Sequence, residues 1–137
     1  MRIVFDTNVY VSALGVRRGK AELALRLAKR GAFDLVISPE ILSETREKLL
    51  GAKFGLSGSE LDQAESFIKG FAAIVEPELR LSVLEDEPDN RILECAVEAG
   101  ASAIVTGDKE LLALKSYEGI GIMTVAELLY TFPEFGA

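Results

Sequence analysis

Arg2–Ile3–Val4–Phe5–Asp6–Thr7–Asn8 opens the chain as a short apolar run that stops on an acid and two small polar residues. Such a run reads as a buried strand, and its closing acid falls where open parallel α/β sheets carry their active sites. The same grammar recurs downstream. Arg2–Asp6, Asp34–Ser38, Ala73–Glu76, Ala103–Thr106 and Gly121–Thr124 are five candidate strands. Between them the spacing turns helical: Lys20–Gly31 sets Leu23, Leu27, Ala24 and Ala28 on one face, and Pro39–Leu50 gathers Ile41, Leu42, Thr45 and Leu49. Helix starts are marked by Ser38 before Pro39 and by capping boxes at Ser57–Glu60 and Thr124–Glu127. Gly31, Gly100 and Gly119 suit helix ends or turns, and Gly51–Gly58 reads as a loop between two helices. Alternating short strands and helices predict an α/β fold, one domain over 1–137, with a mostly parallel sheet covered on both faces.

Composition narrows the chemistry. With 137 residues, 49% of them hydrophobic, the chain can bury one core and has no need of two. No apolar run approaches the roughly 18 residues of a membrane span. Met1 leads straight into the strand pattern without a signal-peptide layout, so the expectation is a soluble, cytoplasmic protein. The one cysteine, Cys95, sits in an apolar helical run and is expected to be a buried small hydrophobe. Histidine is absent, which removes Ser–His–Asp and Cys–His catalysis and the usual zinc, copper and haem sites. Carboxylates remain, and their hard oxygens suit magnesium, manganese or calcium. Net charge is −7, but residues 1–31 hold seven basic side chains against Asp6 and Glu22, a net of +5 that leaves −12 for the rest. A basic segment beside an acidic remainder can hold a phosphate backbone next to a metal site; it can also be a set of solvated helix faces.

Four acids stand out by position. Asp6 and Asp108 each follow a strand-like run, and each can equally be a plain helix N-cap. Glu44 flanks the apolar face of its helix one turn after Ile41, while Glu40 and Glu47 point farther away; an exposed pair with Lys48 is the competing reading. Asp89 is expected to open a helix Asp89–Gly100, with Asp86 and Glu87 as competitors in a charge cluster that favours a helix start on its own account.

In this order the segments resemble the PIN-domain family along essentially the whole chain. Ile3–Val4–Phe5–Asp6–Thr7–Asn8–Val9 resembles the family's first acidic motif, and Ser38–Pro39–Glu40–Ile41–Leu42–Ser43–Glu44 its second. Asp89–Asn90–Arg91–Ile92–Leu93–Glu94–Cys95–Ala96 resembles the third, and Val105–Thr106–Gly107–Asp108–Lys109–Glu110–Leu111–Leu112 the fourth. One such motif is weak evidence; four in order are strong. The resemblance implies a three-layer α/β/α domain with a roughly five-stranded parallel sheet that brings Asp6, Glu44, Asp89 and Asp108 into one pocket. It further implies Mg²⁺- or Mn²⁺-dependent cleavage of RNA, most similar to the VapC-type toxins that are neutralised by a protein antitoxin and often pair as homodimers. On that reading the four acids are catalytic and metal-binding, while Thr7, Asn8 and Thr106 hydrogen-bond carboxylates or waters. Arg17, Arg18 and Lys20 are the candidate phosphate contacts.

Two other readings stay open: a PIN fold that binds RNA or a partner without turnover, and a PIN nuclease that processes RNA outside a toxin–antitoxin pair. An aspartyl-phosphate enzyme is disfavoured because Thr7–Asn8 follows Asp6 without a second aspartate two positions on, and no P-loop is present. Phe67, Phe71, Tyr130, Phe132 and Phe135 are either core or a dimer or partner surface.

Overall fold

The computed structural model describes residues 1–15, 19–51 and 54–133. Its centre is β1 (Arg2–Phe5), the opening run, in which Ile3, Val4 and Phe5 are all buried. Successive strand residues face opposite sides, so burial of three in a row means that both faces of the sheet are covered. β2 (Asp34–Ile37), β3 (Ala73–Ile74) and β4 (Ala103–Val105) pair in parallel around it, as does β6 (Ile120–Met123) against β4. The order across the sheet is β3-β2-β1-β4-β6-β5. From β1 the chain steps outward through β2 to β3, then returns to the other side of β1 for β4. The sheet therefore reverses direction between β1 and β4, and ligands of such sheets bind in the crevice at that reversal.

Among the described residues the sheet has six strands, one more than the roughly five expected. The addition is β5 (Ser116–Tyr117), antiparallel to β6. Two residues carry no periodicity to read, but the turn behind them does have a mark: Glu118 and Gly119 both take left-handed backbone, φ 46° and 82°. Two consecutive positive φ values make the tight hairpin turn that matches strand twist.

Helices fill both faces. They are α1 (Thr7–Gly15), α2 (Lys20–Lys29), α3 (Pro39–Leu49), α4 (Gly58–Lys69), α5 (Glu87–Ala99), α6 (Lys109–Leu114) and α7 (Val125–Thr131). Ser38 Oγ accepts from Ile41 N at 3.2 Å with Pro39 in the first turn, and both capping boxes close reciprocally, Ser57 with Glu60 and Thr124 with Glu127. Gly100 ends α5 in left-handed backbone. α5 starts at Glu87, two residues before the expected Asp89, because Pro88 is preorganised for a first turn. That shift moves Asp89 inside the first turn, where it is buried. Ala52 and Lys53, within the expected Gly51–Gly58 loop, lie outside the described residues.

Core packing settles the cysteine and most of the aromatics. Cys95 is fully buried, its thiol pushed up to about 12 by burial. Phe71 and Phe132 pack partly buried against the core, Phe132 at 5.7 Å from the Phe33 ring. Phe67 and Tyr130 are exposed, and Phe135 lies outside the described residues. No helix among the described residues is long and apolar enough to cross a membrane.

Candidate active site

At the reversal between β1 and β4, the backbone itself begins to build a site. The ladder runs one residue past each strand, with Asp6 N donating to Val105 O at 2.9 Å and Thr106 N to Met123 O at 2.9 Å. Asp6 and Thr106 are thereby fixed side by side, both buried. Thr106 Oγ1 donates to Asp6 Oδ2 at 2.7 Å and accepts from Asp108 N at 2.9 Å, so one hydroxyl ties the two acids across the crevice. Burial raises the pKa of Asp6. The Thr106 hydroxyl, the Asn8 backbone amide and the Lys48 charge work against that rise, and the Asp108 charge adds to it.

Asp89 reaches the same crevice from the first turn of α5. Burial, a hydrogen bond shared with Asp108 and the charges of Asp108, Asp6 and Asp86 push its pKa up to about 8. Burial, the first of these causes, favours its protonated form. Its Oδ2 is buried with no hydrogen-bond partner. Asp108 spends one oxygen on the helix start it precedes, Oδ2 accepting from Leu111 N at 3.1 Å. The N-cap reading of Asp108 is thus realised, and it leaves the second carboxylate oxygen for other work.

Glu44 stands apart from these three. Its Oε1 pairs with Lys48 Nζ at 3.2 Å, and it lines a shallow groove of about 320 Å³ with Glu40, Ser43, Glu47, Glu87 and Arg91. The link back to the crevice runs through Lys48, which also donates to Asn8 Oδ1 at 3.0 Å. Thr7 is buried at the start of α1, while Lys20 is exposed at the start of α2. Arg17 and Arg18 lie outside the described residues. A separate groove of about 470 Å³ between α1, α2 and α4 contains none of the four acids.

Two features were hidden in the sequence. Lys48 shows there as the i+4 partner of Glu44, but its bond to Asn8 spans forty residues and has no local signal. The second is a clamp on the irregular chain before α5. Asn90 Oδ1 accepts from Val83 N and Leu84 N at 3.0 and 2.9 Å, and its Nδ2 donates to Leu84 O at 2.8 Å. Glu94, wholly buried, accepts from Leu81 N at 2.7 Å and from Arg91 Nη2 at 2.6 Å. These bonds fix the chain leading into α5, the helix that carries Asp89.

The donor set suits a hard divalent cation. The charges of Asp6 and Asp108 act on Asp89, which carries an orphaned buried oxygen, and a cation would relieve both costs. Among the described residues, however, no group of three or more acidic or cysteine side chains is already arranged to hold a metal ion. The bonds above account for part of this: Asp108 caps α6, and Glu44 is turned to Lys48.

Comparison with known proteins gives three results. A sequence profile described as PIN domain matches residues 2–110, a span that includes all four acids. An uncharacterized protein of Methanocaldococcus jannaschii is 31% identical over 118 residues, covering 84% of this chain and 76% of that protein. In a crystal structure of VapBC2 from Rickettsia felis bound to a DNA fragment from their promoter, one chain superposes with a TM-score of 0.61 at 17% identity. That match covers 90% of this chain and 98% of the other, and at such identity it speaks to the fold.

Proposed function

The chain belongs to the PIN-domain family, and from that premise we propose that it is a divalent-metal-dependent ribonuclease acting as the toxin of a toxin–antitoxin pair. The observation that carries the nuclease reading is the convergence of Asp6, Asp89 and Asp108 at the β1/β4 reversal, with Thr106 bonded to two of them. Asp6 and Asp108 would be the principal ligands of Mg²⁺ or Mn²⁺, with Asp89 a ligand directly or through water. Glu44, at the rim, would serve a second ion or orient the attacking water. When bound, the ion supplies Lewis acidity at the scissile phosphate and makes water acidic enough to attack.

The chain's own residues do the remaining work. Thr106 holds the Asp6 carboxylate in one orientation, and Thr7 and Asn8 set the turn that follows it. Asp89, whose pKa is raised, would have to be deprotonated to serve as a ligand, so metal affinity would rise with pH. Arg17, Arg18 and Lys20, from the basic first segment, would meet the RNA backbone. The toxin role, a cytoplasmic setting, a protein antitoxin and a homodimeric state extend the reading by analogy with the VapBC2 chain, whose fold this chain shares.

The test is incubation of wild type and Asp6→Asn with a mixed RNA pool in EDTA, Mg²⁺ or Mn²⁺, read on a denaturing gel. Cutting by wild type alone, and only with metal, is the expected outcome; equal cutting by both proteins would remove Asp6 from the site. One observation favours a second reading, a PIN fold that binds without turnover: among the described residues no three acids are already arranged to hold a metal ion. Mn²⁺ binding without cleavage of any RNA would select it.

A further inference from the structure

A pocket of carboxylates in a chain of net charge −7 repels the polyanion it is proposed to cut, so a cation must face the incoming phosphates. Several basic residues of the first segment are committed elsewhere: Arg2 donates to Ala99 O, Arg26 pairs with Glu22 and Lys29 lies over the Phe67 ring. Lys48 is differently placed. Its Nζ lies 3.0 Å from Asn8 Oδ1 and 3.2 Å from Glu44 Oε1, its side chain is 43% exposed, and its charge reaches Asp6. Asn8 fixes the position, because its backbone amide faces Asp6 while its side chain holds the ammonium.

We propose that Lys48 is an RNA-phosphate contact at the rim of the acidic pocket, exchanging its bond to Glu44 for a substrate phosphate; this rests on the ribonuclease reading. Both present partners are easily given up. One is a neutral amide oxygen and the other a partly exposed i,i+4 carboxylate, a pairing that contributes little where water reaches it. A phosphate offers more charge, and its arrival frees the Glu44 carboxylate. Lys48 thus couples substrate arrival to the release of the fourth acid.

The experiment is fluorescence anisotropy of a labelled single-stranded RNA with wild type, Lys48→Met, Lys48→Arg and Lys69→Met. Ca²⁺ replaces Mg²⁺ to neutralise the pocket, the RNA is checked for integrity on a gel, and salt runs from 50 to 200 mM. Lys69, paired with Glu65 on α4, controls for charge removed away from the crevice. Lys48→Met is expected to weaken binding several-fold and to make the dependence of log K on log salt shallower by about 0.7, the value of one phosphate contact on a single strand. Lys48→Arg and Lys69→Met should keep the wild-type slope. An unchanged slope in Lys48→Met, or an equal loss in Lys69→Met, overturns the assignment while leaving the ribonuclease reading intact. If wild type binds no RNA, that reading fails and the Lys48 contact fails with it.

Discussion

Replacing Asp89 by Asn should stabilise the metal-free protein, and should do so only above mildly acidic pH. The side chain is buried, and its pKa rises from the ordinary 3.8 to about 8. An acid whose pKa is raised by folding contributes full stability below its unfolded value and loses it as pH climbs toward the folded value. The window here is about pH 4 to 8, and each unit within it costs at most about 1.4 kcal/mol. From pH 5 to pH 7 the ceiling is about 3 kcal/mol; because the proton is shared with Asp108, about 2 kcal/mol is the expected figure. Asparagine is uncharged at every pH and its amide can still donate to Asp108, so it keeps the folded contact and removes the titration. Urea unfolding in EDTA at pH 5, 6, 7 and 8 measures the difference. The variant's advantage over wild type should grow steadily from pH 5 toward pH 8, by about 2 kcal/mol between pH 5 and pH 7. A gap independent of pH, or a variant less stable than wild type at pH 8, would refute a proton held between the two aspartates.

Three further outcomes follow from the same geometry. Asp6→Asn should raise metal-free stability toward alkaline pH for the same reason of sign, abolish cleavage, and shrink the rise in melting temperature that Mn²⁺ gives wild type, all readable by calorimetry and a gel. Thr106→Val removes the hydroxyl that serves Asp6 and the Asp108 amide, and should cut Mn²⁺ affinity about 10- to 100-fold, while Thr106→Ser stays within a few-fold. Glu94→Ala strips the buried partner from Arg91 and Leu81 N and should cost about 3 kcal/mol in urea unfolding; a loss under 1 kcal/mol would mean that the clamp before α5 contributes little.

Much of this fold was legible because its signals are local. β1 shows as three apolar residues and an acid, and the caps at Ser38, Ser57 and Thr124 are decided by residues three apart. Asp6 and Asp108 stand out by following strands, which is a property of chain order alone. What stayed hidden depends on contacts distant in sequence. The two residues of β5 become a strand only by pairing with β6. Asp89 changes from a helix opener to a buried acid because Pro88 draws the helix start back to Glu87, and its protonation needs Asp108 nineteen residues away. For Glu44, sequence offered both a site acid and a Lys48 pair; the structure shows the pair, and only the Asn8 contact reveals that the pair borders the crevice.

On the proposed reading Asp6, Asp89 and Asp108 would hold a divalent cation, and Asp89 would give up its proton to do so. Isothermal titration of the metal-free protein with Mn²⁺ at pH 7, repeated in buffers of different ionisation enthalpy, counts the protons released per ion bound. Wild type should bind Mn²⁺ and release roughly one proton, and Asp89→Asn should bind more weakly and release close to none. Binding without proton release in wild type, or equal release by the variant, would contradict the pocket described here.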